Sequence, residues 1–147
     1  MISKVLVVCI GNICRSPYAE AVLNEKLKGS IKIGSAGIGV EFSGLVGHGA
    51  DFTGMTYAHG IGVDLSKHRA KQLTPYLCSQ YDLILVMEQK HIELVSTISP
   101  ESRGKTMLLG HWIDKEIPDP YKQGIEAFKH SYGLIEESIE IWVRKIT

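Results

Sequence analysis

Cys9 and Arg15 are separated by the five residues Ile10-Gly11-Asn12-Ile13-Cys14, and Ser16-Pro17 follows directly. A cysteine attacks as its thiolate, and a nearby cation or helix N-terminus favours that form. Arginine offers a planar fork that matches two oxygens of a phosphate. The spacing lets the backbone between them curl around one anion, with successive N–H groups turned inward as a nest. Gly11 permits backbone that a bulky residue resists. Asn12 tolerates left-handed geometry and can brace the loop with its amide. Ser16 can hydrogen-bond the Cys9 sulfur, or it can cap the following helix. The chemistry this suits is transfer of a phosphoryl group from oxygen to sulfur.

Such a displacement needs a proton for the departing oxygen. Ile117-Pro118-Asp119-Pro120-Tyr121 is the late segment built to deliver one. Two prolines stiffen the backbone around Asp119 and keep it out of a helix. A carboxyl held there can act first as general acid and then as general base on water. Tyr121 can wall an aromatic substrate or pack in the core.

The elements that must position these residues alternate in type. Residues 4–8 form a continuous apolar run, as expected of a strand buried on both faces. A helix is expected from Ser16, with Pro17 in its first turn and Gly29 as C-cap. Ile31-Lys32-Ile33 reads as a second strand, and the glycine-rich residues 34–54 read largely as loop. A helix is expected around 50–60, a strand at Asp82–Met87, a helix around Gln89–Val95 and a strand at Thr106–Leu109. Phe128, Tyr132, Ile135, Ile139, Trp142 and Ile146 recur at helical spacing, which makes 128–146 a helix packed along one apolar stripe. This alternation predicts an α/β domain with a central parallel sheet, whose functional loop lies beyond the carboxyl end of a strand. Cys9 stands at such a point.

The chain of 147 residues reads as one domain over 1–147. Lys+Arg and Asp+Glu balance at 16 each, which argues against a general nucleic-acid or membrane surface. No apolar run reaches transmembrane length, and the N-terminus lacks a signal-peptide pattern. The three cysteines do not suggest a disulfide framework. A cytoplasmic protein is expected.

The sequence resembles the low-molecular-weight protein tyrosine phosphatases over essentially all its length. The resemblance rests on Val8–Pro17 with Ala19-Glu20, on Ser35-Ala36-Gly37, on Ser66-Lys67-His68-Arg69-Ala70 and on Asp119-Pro120-Tyr121. It implies a three-layer α/β/α fold of the flavodoxin-like, phosphotyrosine phosphatase I type, with a four-stranded parallel sheet. It also implies a phosphocysteine intermediate, with no metal and no cofactor. Cys9 is then the nucleophile, Arg15 the phosphate ligand and Asp119 the acid. Ile10, Gly11, Asn12, Ile13, Cys14 and Ser16 complete the phosphate loop, which also takes inorganic phosphate and similar oxyanions. Asn12, Ser16, Ser35 and His68 match a network that holds this loop, and Ile13 and Tyr121 match the walls of an aryl slot. Cys14 matches a second loop cysteine able to form a reversible disulfide with Cys9. Cys78 is read as structural.

Many eukaryotic members have two aromatics after the acid's proline, whereas Lys122 follows Tyr121 here. The segment Leu45-Val46-Gly47-His48-Gly49-Ala50-Asp51 is similar to bacterial members that act on tyrosine autokinases of exopolysaccharide export. A phosphotyrosine protein of that kind is the expected partner. Phe42 and Leu45 are both candidates to cover the site and set specificity. The rival readings are an arsenate reductase of the same fold, which needs a further cysteine pair, and a non-catalytic phosphotyrosine-binding module, which needs neither nucleophile nor acid.

Overall fold

A computed structural model describes all 147 residues. The elements run β1 (Lys4–Cys9), α1 (Arg15–Leu27), β2 (Lys32–Gly37), α2 (Phe52–Gly60), α3 (Pro75–Ser79), β3 (Leu83–Val86), α4 (Gln89–Ile98), β4 (Thr106–Leu108) and α5 (Ile125–Ile146). Short 3-10 turns at Pro100–Lys105 and His111–Ile113 flank β4. The four strands form one sheet in the order β2-β1-β3-β4, parallel throughout.

The apolar run in β1 is explained by its central place. Val5 and Val7 face the larger core with α1 and α5, while Leu6 and Val8 face a smaller core with Cys78 of α3 and Val95 of α4. The sheet is therefore the middle of three layers. All four side chains are fully buried, a gross contribution of about 6–12 kcal/mol before chain entropy is set against it.

The register brings three strand ends together at one edge. Cys9 pairs with Gly37 and Val8 with Val86, so β1, β2 and β3 end at the same rim. The loop after β1, the turn after β2 and Glu88 after β3 all leave the sheet there. Beyond β4, the amide of Ile117 donates to the Met87 carbonyl at 2.9 Å, which draws residues 109–117 back to the same edge.

Three local expectations change. The second strand runs over Lys32–Gly37, so Gly34–Gly37 are sheet rather than loop. Glycine is needed at 34 and 37 for close approach: a Cβ would lie 2.3 Å from the Tyr81 hydroxyl at the first and 2.6 Å from the Ile10 carbonyl at the second. Helix α1 is capped by Lys28, which itself takes left-handed backbone, and Gly29 continues the turn. The short helix α3, capped by the Thr74 hydroxyl at 3.1 Å, has no counterpart among the expected elements.

Candidate active site

The loop from Cys9 to Cys14 is held from outside by its carbonyl groups. Those of Cys9 and Ile10 accept from the amides of Ile38 and Gly39 at 3.0 and 2.9 Å, and that of Ile13 from the amide of Asp51 at 2.8 Å. The Asn12 carbonyl accepts from His68 Nε2 at 2.5 Å, and the Cys14 carbonyl from the Tyr132 hydroxyl at 3.0 Å. The amides of residues 10–14 have no acceptor within the protein. Carbonyls pulled outward leave N–H groups turned inward, which is the arrangement of an anion nest.

One chain of hydrogen bonds links Asn12, Ser35, Ser16 and Cys9 in this cup. Asn12 takes left-handed backbone, with φ 55°. Its Oδ1 accepts from the Lys71 amide at 3.0 Å, which fixes Nδ2 as the donor end. Nδ2 donates to Ser35 Oγ at 3.0 Å and to Ser16 Oγ at 2.8 Å. Ser35 Oγ in turn donates to Glu20 Oε1 at 2.5 Å. Ser16 Oγ also lies 3.0 Å from Cys9 Sγ, and toward a thiolate, which can only accept, its hydroxyl is the donor. The two readings of Ser16 thus separate: it serves the sulfur, and Cys14 occupies the N-cap of α1 without a side-chain cap bond.

Arg15 is almost wholly buried, at 1% exposure. Its Nη1 donates to Glu88 Oε2 and to the Ile117 carbonyl, both at 2.7 Å. Its Nε is buried without a partner. An unpaired buried N–H costs roughly 1–3 kcal/mol, and an oxyanion in the nest would relieve it. Burial works against the charge of Glu88, but the Arg15 hydrogen bond and charge outweigh it and hold the carboxyl below its usual range.

Asp119 is exposed, with Oδ1 accepting from the Tyr121 amide at 3.1 Å. Its loop is pinned by Arg15 at Ile117 and by Ser131 Oγ, which donates to the Pro118 carbonyl at 2.7 Å. A cleft of about 230 Å³ joins Cys9, Ile10, Gly11, Ile13, Cys14, Arg15, Asp119 and Tyr121 with Ser43 and Leu45. A larger hollow of about 530 Å³, lined by Glu20, Ser35, Lys67 and His68, lies behind the loop and contains its braces rather than its reactive groups.

The structure distinguishes the two candidates for covering the site. Leu45 lies over the loop, where a Cβ added to Gly11 would come within 3.2 Å of its Cδ1. Phe42 is 97% exposed and does not line the cleft. Ser35 and His68 brace Asn12 without lining the cleft. Cys78 is buried in the smaller core, away from the cleft.

The sequence reading assigned no role to several supports. Glu20, Glu88, the Ile117 carbonyl, Ser131 and Tyr132 hold the site from four separate segments. Glu88 had a usable signal, since an acidic residue just beyond a buried strand stands where Cys9 stands after β1. Helix α5, read only as a packing helix, contributes Ser131 to the acid's loop and Tyr132 to the phosphate loop. Burial raises the Tyr132 hydroxyl well above its ordinary value, so it remains a donor. Burial, then the Asp51 charge, likewise keeps Cys14 a thiol. Burial lowers His68 despite its Asn12 bond. It also takes His91, with the help of the Arg15 charge, down to about 4.

The model for low molecular weight phosphotyrosine protein phosphatases matches residues 4–147. The chain is 47% identical over 146 residues to the low molecular weight protein-tyrosine-phosphatase Etp of Escherichia coli K12, covering 99% of this chain and 95% of that protein. Vibrio vulnificus Wzb in complex with benzylphosphonate superposes with a TM-score of 0.96 at 51% identity, covering 99% of each chain. The tyrosine phosphatase Wzb of Escherichia coli K30 in complex with sulphate gives 0.94 at 47% identity, covering 100% of each.

Proposed function

Because the chain belongs to the low-molecular-weight phosphotyrosine protein phosphatase family, we propose that it hydrolyses phosphotyrosine through a phosphocysteine on Cys9. The observation that carries this reading is the donor chain ending on Cys9 Sγ, in a cleft that also holds Arg15 and Asp119.

The phosphate sits in the nest of loop amides. Arg15 Nε–H and Nη2–H, along one edge of the guanidinium, grip its equatorial oxygens, while Nη1 stays tied to Glu88 and Ile117. Cys9 thiolate attacks phosphorus in line, and the S–P bond forms as the P–O bond to the aryl group breaks. Asp119, entering as the carboxylic acid, gives its proton to the departing phenolic oxygen. The grip of Arg15 tightens as charge spreads over the equatorial oxygens, which is where binding becomes rate. In the second half, Asp119 carboxylate takes a proton from water as its oxygen attacks phosphorus. The S–P bond breaks, and the Ser16 hydroxyl stabilises the returning thiolate. Phosphate leaves. Ile13, Leu45 and Tyr121 wall the aryl ring.

The physiological substrate is read as a cytoplasmic phosphotyrosine protein, a bacterial tyrosine autokinase of exopolysaccharide production. The likeness of residues 45–51 to bacterial members of the family supports this. An arsenate reductase relay finds no second cysteine pair, since Cys78 is alone in its core.

Cys9→Ser tests both levels. It is expected to abolish aryl phosphate hydrolysis with the circular dichroism spectrum unchanged, and to retain a tyrosine-phosphorylated kinase in a pull-down from the native host. Surviving hydrolysis would remove Cys9 as nucleophile. Retention of a different class of phosphoprotein would remove the autokinase assignment alone.

A further inference from the structure

Only two buried side-chain polar atoms lack a hydrogen-bond partner, Arg15 Nε and His91 Nε2. Their residues meet at one carboxylate. Arg15 Nη1 donates to Glu88 Oε2 at 2.7 Å, and His91 Nε2 stands 3.6 Å from the same oxygen. Arg15 lines the cleft, whereas His91 is wholly buried and does not.

His91 is the third residue of α4, and Glu88 is the N-cap. The Glu88 amide donates to His91 Nδ1 at 3.2 Å. An accepting Nδ1 carries no proton, so the neutral ring keeps its one proton on Nε2. Burial first and the Arg15 charge second hold the ring neutral at pH 7; Lys90 adds to them, while Glu88 and Glu116 oppose them. His91 thus fixes Glu88 at its backbone and places an N–H beside its carboxylate. Glutamine or glutamate at this helix position also reaches back to the N-cap amide. A glutamate would set a second negative charge beside Glu88, whereas imidazole accepts the amide, adds no charge and still supplies a donor. At 3.6 Å that donor is too far for a hydrogen bond. A shift of about half an ångström closes the gap, and Glu88, with 21% of its side chain exposed, is only partly enclosed. An oxyanion held by Arg15 shares that residue's charge and weakens its pull on Glu88 Oε2. The carboxylate then has a second donor to turn to.

We propose that His91 is a positioning residue for Arg15: it fixes Glu88 at the backbone, and its Nε2–H takes up Glu88 Oε2 when phosphate draws the Arg15 charge away. The proposal rests on the reading of Arg15 as the phosphate ligand of the cleft. His91 touches neither substrate nor phosphate, and acts on both through Glu88.

The test measures three quantities at pH 7: kcat/KM on an aryl phosphate, the dissociation constant of inorganic phosphate by calorimetry, and urea unfolding. The proteins are wild type, His91→Leu, His91→Gln, Glu88→Ala and the double variant Glu88→Ala/His91→Leu. His91→Leu is expected to lower kcat/KM and weaken phosphate binding together, by about fivefold to tenfold. His91→Gln, whose amide supplies both an acceptor and a donor, should recover most of both. The double variant should bind phosphate no worse than Glu88→Ala, because His91 acts through Glu88. A His91→Leu protein that loses stability alone would make His91 a helix cap and overturn the proposal, as would losses that multiply in the double variant. Nitrogen-15 NMR of the wild type needs no variant to fold. The His91 proton should lie on Nε2, and its signal should move downfield as inorganic phosphate saturates the protein. A proton on Nδ1, or an Nε2–H unmoved by phosphate, would also overturn the proposal. Absent hydrolysis with the expected series in phosphate affinity removes the catalytic reading and leaves His91 in its role. A wild type that binds no phosphate removes both.

Discussion

Arg15 Nη1 donates to the carbonyl of Ile117 at 2.7 Å, two residues before Asp119. One guanidinium thus lines the cleft beside Cys9 and anchors the loop that carries Asp119. The same nitrogen is held by Glu88 from the end of β3. The loops of Cys9 and Asp119 are far apart in sequence, and this contact sets their relative position before any substrate arrives. Preorganisation of this kind removes a reorganisation cost from the reaction.

Arg15→Lys follows from that geometry. A lysine ammonium cannot keep Glu88, Ile117 and two phosphate oxygens together. The expected result is a fall in kcat/KM of about 100-fold or more on aryl phosphates, together with weaker inhibition by inorganic phosphate. Unchanged phosphate inhibition would show that Arg15 does not grip the anion.

Glu88→Ala separates anchoring from catalysis. It leaves the buried cation with only a carbonyl, and removing one partner of a buried pair costs about 3–5 kcal/mol. Glu88 keeps some exposure, at 21% of its side chain, so a loss near the lower figure is expected from urea unfolding. Stability equal to wild type would mean that water replaces the carboxylate.

Asp119→Ala should slow turnover most where the leaving oxygen is a poor one. Phenyl phosphate should lose about 100-fold or more, and an activated nitrophenyl ester clearly less. Equal losses on the two esters would mean that Asp119 does not protonate the leaving group.

His91 gives a pH signature in stability. Its ordinary value of 6.5 falls to about 4 in the fold, through burial first and the Arg15 charge second. Between these values the unfolded chain binds a proton that the folded chain refuses. Stability should therefore fall as pH drops from about 6.5 toward 4, by up to about 3 kcal/mol from this group, and show no His91 dependence above that window. His68, lowered by burial, acts in the same direction. His91→Gln, measured by urea unfolding at pH 7, 6 and 5, should have the flatter profile. Parallel profiles would assign the slope to other groups.

Oxidation tests the second loop cysteine. Stoichiometric peroxide should convert Cys9 to the sulfenic acid, which Cys14 then condenses with, releasing water and leaving a disulfide. The free-thiol count should drop by two and recover with dithiothreitol, and activity should return with it. Because burial keeps Cys14 a thiol, closure should be slow relative to reaction of Cys9 with peroxide. A count that stays at three after oxidant would remove the pairing.

Much of this was legible in the sequence because it is local. The apolar run before Cys9, Asn12 as a residue that tolerates left-handed backbone and the prolines around Asp119 each act through the backbone of their own segment. The stripe along 128–146 likewise shows α5 and its buried face. What only the tertiary structure decided was how distant segments share single atoms. Glycines 34 and 37 look like loop punctuation until Tyr81 and the Ile10 carbonyl are packed against them. Phe42 and Leu45 are equivalent candidates until the turn at 39–45 directs one to water and the other over Gly11. Asn12 could have pointed its amide either way. The Lys71 amide, 59 residues on, fixes Oδ1 as acceptor and so turns Nδ2 to donate to Ser16, the hydroxyl beside Cys9. Residue types record which groups can donate or accept, but the direction of a hydrogen-bond chain depends on every partner being in place. That is why the loop from Cys9 to Arg15 could be read from the sequence and the hydrogen-bond directions around it could not.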